Sequence, residues 1–328
     1  MTGIALFGAG RIGRIHAANL NAHTTADIRH VVDVMETAAN ELATLCGARV
    51  STTRDALADP EVQAVVIASP TDTHAELIRS AAEAGKAIFC EKPLDLDIQN
   101  ARKSLAVVAK HGAMLCLGFN RRHDPSFARL KAEVLEGAVG EVEVVSITSR
   151  DPSPPPVEYL GHSGGLFRDM MIHDFDMARW LLGAEPVRLY ARGSVLVDPA
   201  IGAAGDVDSA VVVLETADGV LCQIINSRRA AYGYDQRIEA FGEKGLLLAG
   251  NRDARSLQTW SATGITGEKP LYFFLERYTE AYRAEMAHFL ACLAGEEQPR
   301  VNAEDGLRAL ELAEAANESL ASGQAVQL

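Results

Sequence analysis

With 328 residues, 48% of them hydrophobic and 23% charged, the chain has the composition of an ordinary globular protein and enough length for about two domains. Its formal net charge of −13, with no cluster of Lys and Arg, excludes a general nucleic-acid binder and favours a small-molecule partner. No stretch reaches the roughly 18 consecutive apolar residues of a membrane span, and the run Ile4-Ala5-Leu6-Phe7 begins with no secretory signal before it, so a cytoplasmic protein is expected.

Over the first 118 residues, short apolar runs at 4–7, 28–33, 63–68, 87–90 and 114–118 alternate with helical segments such as 12–21, 37–46 and 73–84. That alternation predicts a parallel sheet built from βαβ units. Gly47, Gly85 and Gly112 stand where left-handed helix caps are wanted. From about residue 120 the pattern changes. A helix at 125–136 and a strand at 142–149 lead into Asp151-Pro152-Ser153-Pro154-Pro155-Pro156, which cannot enter a central strand and reads as a loop. A helix at roughly 170–182 is followed by strand-like runs at 187–197, 209–215, 220–227, 236–241 and 246–249, then by helices near 277–294 and 303–321. The expected fold is therefore α/β: an N-terminal Rossmann parallel sheet in 1–119, then an α+β domain in 120–328 with a large, mostly antiparallel sheet. The five cysteines, Cys46, Cys90, Cys116, Cys222 and Cys292, form no CxxC pair and predict neither a disulfide framework nor a structural zinc site.

Gly8-Ala9-Gly10-Arg11-Ile12-Gly13 is a GxGxxG run between a strand and a helix, the context in which the motif has a mechanism. Gly8 permits the tight turn, Gly10 lets the backbone approach a pyrophosphate, and Gly13 lets helix and strand pack closely. Asp33, at the end of the second strand, can accept both hydrogen bonds of an adenosine ribose and repels a 2′-phosphate. Val34 and Met35 beside it supply no arginine, so NAD is expected rather than NADP.

Two more segments fall at the carboxyl ends of predicted strands, where open parallel sheets bind ligands: Ala68-Ser69-Pro70-Thr71-Asp72-Thr73-His74 and Cys90-Glu91-Lys92-Pro93-Leu94. Lys92 there can hold a substrate hydroxyl, or be a solvated strand end. In the second domain Asp169 and His173 are spaced i,i+4 on one predicted helix face and can work as an acid/base pair. The plainer alternative is an acidic helix surface, with Asp174 and Asp176 part of it. A His–Asp metal site is a third reading, though no further ligand cluster accompanies the pair and no metal is expected.

The segments GAGRIGRIH, SPTDTH, CEKPL, GFNRR and GGLFRDMMIHDFDMARWL, in this order, resemble the Gfo/Idh/MocA oxidoreductases over most of the chain. That resemblance implies a Rossmann domain, an open-faced second sheet used for oligomerisation into a homotetramer or a dimer, and catalysis by Lys92, Asp169 and His173. It also implies that the C-terminal helix can pack back on the first domain. Cofactor contacts are expected from Gly8, Ala9, Gly10, Arg11, Ile12, Gly13, Asp33, Ala68, Ser69, Thr71, His74, Glu91, Lys92 and Arg121. Ser149-Arg150-Asp151-Pro152 and Tyr232-Gly233-Tyr234-Asp235 look like the inositol 2-dehydrogenase branch, with Arg121, Asp151 and Tyr234 reading substrate hydroxyls. The implied reaction is NAD-dependent oxidation of a myo-inositol ring hydroxyl to an inosose. An aldose or pyranose dehydrogenase of the same family, and a non-catalytic NAD-binding regulator, are the competing expectations.

Overall fold

The computed structural model describes residues 1–328, which form two units: Met1–His123 with Glu280–Leu310, and Asp124–Thr279 with Glu311–Leu328. In the first, the strands are β1 (Thr2–Phe7), β2 (Ala26–Val32), β3 (Arg49–Val50), β4 (Val62–Ile67), β5 (Ala87–Glu91) and β6 (Leu115–Gly118), all but β3 on the expected apolar runs. They form one parallel sheet in the order β3-β2-β1-β4-β5-β6. Because both faces of such a sheet are covered, its central strands are apolar almost throughout rather than alternating. Helices α1 (Arg11–Asn21), α2 (Glu36–Cys46), α3 (Thr53–Ala58), α4 (His74–Glu83) and α5 (Ile98–His111) connect the strands. Gly47, Gly85 and Gly112 follow α2, α4 and α5 with φ of 70°, 68° and 61°, as left-handed caps require. The two-residue β3 and the short α3 were not predicted; α3 begins where the Thr52 hydroxyl accepts from the Asp55 amide.

Glu280–Leu310 belongs to this unit because its apolar residues join the same core. Met286, Phe289 and Leu290 pack in one buried cluster with Ile4, Leu6, Val66, Phe89 and Cys116. Gly306 approaches so closely that a Cβ there would stand 2.4 Å from the Leu117 side chain.

The second unit contains α6 (Pro125–Leu135), β7 (Val142–Arg150), α7 (Val157–Ser163), α8 (Ile172–Leu182), β8 (Pro186–Ser194), α9 (Pro199–Ala203), β9 (Ser209–Thr216), β10 (Leu221–Ser227), β11 (Asp235–Gly242) and β12 (Gly245–Ala249). The hairpin β13 (Gln258–Ser261) and β14 (Gly264–Gly267) and the short α10 (Phe274–Arg277) follow. Beyond them lie α11 (Thr279–Leu293), α12 (Ala303–Ser322) and β15 (Val326–Gln327). A seven-stranded sheet runs β12-β11-β7-β10-β9-β8-β15, antiparallel except between β7 and β10. β9 alternates: Ala210, Val212 and Leu214 are buried, while Val211 and Val213 point outward. The prolines 152–156 do form an irregular connection, and α7, which starts directly after them, was not anticipated. No helix is long and apolar enough to cross a membrane.

A buried ion pair fastens α6 to α10. The Asp124 carboxylate caps α6, accepting from the amides of Ser126 and Phe127 at 3.1 and 3.2 Å, and it also accepts from Arg277. Both side chains are 1% exposed, and the guanidinium lies over the Phe127 and Tyr278 rings. Removing one partner leaves the other charged and buried. Arg277→Met is therefore expected to lower unfolding stability by about 3–5 kcal/mol in a denaturant titration. Adding Asp124→Asn to that variant should recover part of the loss; a single variant as stable as the parent would contradict this account.

Candidate functional site

In the first unit, each glycine of the β1–α1 turn is required for a different reason. Gly8 has φ of 101°, and a Cβ on it would lie 2.5 Å from the Ala68 carbonyl oxygen. On Gly13 a Cβ would meet the Gly8 carbonyl oxygen at 1.9 Å, so α1 can start this close to β1 only without a side chain. A Cβ on Gly10 would meet nothing within 4 Å, so this side of the turn is open to a phosphate at the helix N-terminus. Asp33 follows β2 directly. Its Oδ2 accepts from the Ala9 amide at 2.6 Å and its Oδ1 from the Met35 amide at 2.7 Å, which fixes the carboxylate beside the glycine turn. Val34 is 98% exposed and Met35 62% exposed, so the residues next to Asp33 present apolar surface rather than a guanidinium. The turn thus fits a dinucleotide with an unphosphorylated ribose.

The two loops after β4 and β5 are tied to each other. His74 is buried, with Nε2 2.9 Å from the Ser69 carbonyl and Nδ1 2.8 Å from that of Pro93. Burial pulls this ring below the ordinary histidine pKa, although both carbonyls favour its charged form. His74, expected among the cofactor contacts, instead has both ring nitrogens engaged by the backbone and acts as a brace between the turns. Ser69 and Thr73 share a hydrogen bond at 2.6 Å. Thr71 begins the short 3₁₀ turn Thr71–Thr73. Glu91 ends β5 and meets His16 Nε2 of α1 at 2.7 Å. Lys92 is half-buried next to it and joined to Pro93 by a cis bond. Arg121 is buried in the turn Asn120–His123 that follows β6.

In the second unit, Gly164 and Gly165, with φ of 81° and 80°, end α7 and turn the chain into Leu166–Met170. That segment is a π-helical turn, with the Met171 amide donating to the Leu166 carbonyl at 2.9 Å, and α8 starts only at Ile172. This corrects the expected single α-helix: Asp169 lies in the π turn and His173 in the first turn of α8. The acidic-surface alternative also fails. Asp174 and Asp176 are completely buried, whereas Asp169 and His173 are half-buried. Asp174 accepts from Ser149 Oγ at 2.6 Å and Asn226 Nδ2 at 2.8 Å, which pins the start of α8 onto β7 and β10.

Two partners of Asp169 escaped sequence reasoning. The Tyr159 hydroxyl on α7 donates to its Oδ1 at 3.1 Å, and Arg228, 1% exposed, places a guanidinium nitrogen 4.0 Å from its Oδ2. Burial first, and then the neighbouring Asp169 charge, push the Tyr159 hydroxyl above the ordinary tyrosine range. Arg228 also holds Asp206 at 3.3 Å, and Asp206 accepts from the Leu166 amide, so the π turn and Asp169 share one buried cation. The available signal for Arg228 was a charged residue just past an apolar strand, the same signal that singled out Lys92. The Asp151 amide donates to the Ser227 carbonyl at 3.0 Å. Tyr234 is buried, its ring edge-on to Tyr278 at 6.0 Å, whereas the half-exposed Tyr232 bonds through its hydroxyl to Asp235 and Arg150.

Comparison with known proteins agrees with both units. Residues 2–119 match the oxidoreductase-family NAD-binding Rossmann fold of GFO/IDH/MocA, and residues 127–248 match the GFO/IDH/MocA C-terminal domain. The chain is 49% identical to an inositol 2-dehydrogenase of Rhizobium meliloti over 98% of each sequence. It superposes with a TM-score of 0.96 on a myo-inositol dehydrogenase from Corynebacterium glutamicum, 42% identical, over 100% of this chain and 99% of that one. A scyllo-inositol dehydrogenase from Lactobacillus casei, solved with bound NAD(H) and scyllo-inositol, gives a TM-score of 0.92 at 29% identity over 100% and 99% of the two chains.

Replacing Asp33 by serine removes a charged acceptor worth about 1.5–3 kcal/mol. Asp33→Ser should raise the KM for NAD by roughly ten- to a hundredfold while improving relative use of NADP. An unchanged ratio of the two cofactors in steady-state kinetics would refute the role given to this carboxylate.

Proposed function

The chain belongs to the GFO/IDH/MocA family of NAD-binding oxidoreductases, and from that premise we propose that it oxidises a ring hydroxyl of myo-inositol, or of a close cyclitol, to the inosose. The observation that carries this reading is the identity of 49% across 98% of an inositol 2-dehydrogenase. NAD, when bound, supplies the hydride acceptor at C4 of its nicotinamide. The glycine turn with Ala9, Arg11, Ile12 and Asp33, together with Ala68, Ser69, Thr71, Glu91, Lys92 and Arg121, would hold it.

His173 takes the hydroxyl proton while the carbon gives up hydride, a role suited to an imidazole, which can both accept and return a proton. Lys92 holds the same oxygen and offsets the negative charge that develops on it. Asp169 orients His173, stabilises its protonated form and accepts from a neighbouring hydroxyl. The Tyr159 and Arg228 contacts hold that carboxylate in place. Arg121, Asp151 and the Tyr234 hydroxyl read the remaining hydroxyls, since a polyol presents donors and acceptors that polar groups must match.

A homotetramer accompanies this reading. It is supported by the outward face of the second unit's sheet, where Val211, Val213, Leu221, Phe241, Leu246 and Leu248 are exposed together. A cytoplasmic location fits its five free cysteines, which stay reduced there.

His173→Ala is expected to lower kcat for inositol oxidation by about 10²–10⁴, and Lys92→Met by about 10²–10³. A panel of inositols, aldoses and pyranoses, followed by NADH absorbance, should give its highest kcat/KM with an inositol. Turnover of sugars alone would move the enzyme to another branch of the family. Light scattering should give the mass of four chains, and a monomer would remove the oligomer from the proposal.

A further inference from the structure

The His16–Glu91 pair has a third neighbour that the chemistry above does not use. Glu285, on α11, is 2% exposed, and neither of its carboxyl oxygens has a hydrogen-bond partner. One ligand atom each from Glu285, His16 and Glu91 lie within 4.8 Å of one another. His16 is itself fully buried, edge-on to the rings of Phe89 and Tyr282. Glu91 is confined on its far side, where a Cβ added to Gly118 of β6 would touch its carboxyl carbon at 3.0 Å. Beside Glu285 lie Phe89 from β5, Cys116 and Leu117 from β6, His123 from the turn after it, Val301, and His288 and Phe289 from its own helix. These line a cavity of about 10 Å³ beside it.

Two ionised carboxylates in this space would each bear a desolvation cost of several kcal/mol, and one histidine can match only one of them. A divalent ion would neutralise both, but the atoms are not spaced for it. His16 Nε2 and the Glu91 oxygen stand at 2.7 Å, a hydrogen-bond distance, whereas two ligand atoms bound at ~2.1 Å to a tetrahedral ion would be about 3.4 Å apart. A buried carboxyl with no partner instead keeps its proton.

We propose that Glu285 is a positioning residue for the Glu91-Lys92-Pro93 turn: uncharged, it sets its carboxyl within 4.8 Å of the His16–Glu91 pair without adding a second negative charge, and so keeps Glu91 and the adjoining Lys92 in place. The functional half of this inference rests on the assignment of Lys92 to the reaction. Burial first, and then the Glu91 charge, push the Glu285 carboxyl well above the ordinary glutamate range. The folded state therefore holds a proton that the unfolded chain releases near pH 4, so this group's stabilisation is complete below that pH and is lost as pH rises toward the folded-state pKa.

Glu285→Gln keeps a donor without the ionisable proton, and Glu285→Leu keeps the approximate shape without a donor. The Gln variant should melt above the parent at pH 8, with the difference vanishing near pH 4. Infrared difference spectra of parent minus Glu285→Gln at pH 7 should show the stretch of a protonated carboxyl. The Leu variant should lose about tenfold or more in kcat/KM through misplacement of Lys92, and the Gln variant should restore most of it. Absence of the protonated-carboxyl band overturns the proposal. So does full activity in Glu285→Leu, or stoichiometric zinc or manganese in the purified parent that is missing from Glu285→Gln. Should Lys92→Met prove fully active, the assignment of Lys92 fails on its own, and the melting and infrared results still decide the state of Glu285.

Discussion

The glycine turn of the first unit depends on the absence of one atom, the Cβ of Gly13. With the Gly8 carbonyl oxygen 1.9 Å from where that atom would be, any side chain would force α1 away from β1. The amides of the turn would then no longer converge at the helix N-terminus. Asp33 is fixed by the same arrangement, because one of its oxygens is held by the Ala9 amide within the turn. The loop after β4 is also bound to it, through the contact that Gly8 makes with Ala68.

This much was legible in the sequence, since the βαβ period, the glycine spacing and a carboxylate after the second strand are local patterns with local causes. The strands of the second sheet were legible for the same reason, as alternating runs bounded by turns. The parallel pairing of β7 with β10 was not, because register between distant strands is set by what packs on their faces. The C-terminal helix was expected to pack back on the first domain, but the return of α11 with it was not. That helix carries Met286, Phe289 and Leu290, and apolar residues at helical spacing do not say which core they will enter.

The proposed acid/base pair shows the same boundary. Residue types and spacing picked out Asp169 and His173, but the i,i+4 argument assumed an α-helix where the backbone forms a π turn. Asp174, whose charge suggested surface, is buried because Ser149 and Asn226, 25 and 52 residues away in sequence, supply its hydrogen bonds. Arg228 and Tyr159 became visible only through folding, since they meet Asp169 from separate elements. His74 is the reverse case: its place beside a ligand-binding loop suggested a contact, and the fold uses its ring to join two turns.

The π turn at Leu166–Met170 also makes the spacing of this segment intolerant of length changes. Such a turn holds one residue more than an α-helical turn over the same closure, and each residue of an α-helix advances its face by about 100°. Deleting a single residue here would let the segment relax into an ordinary helix and swing Asp169 around the axis relative to His173. Both side chains of the pair would survive such a deletion, yet they would point in different directions. The bulge acts as a phase-setting element, and in this segment insertions and deletions are a harsher constraint than substitutions.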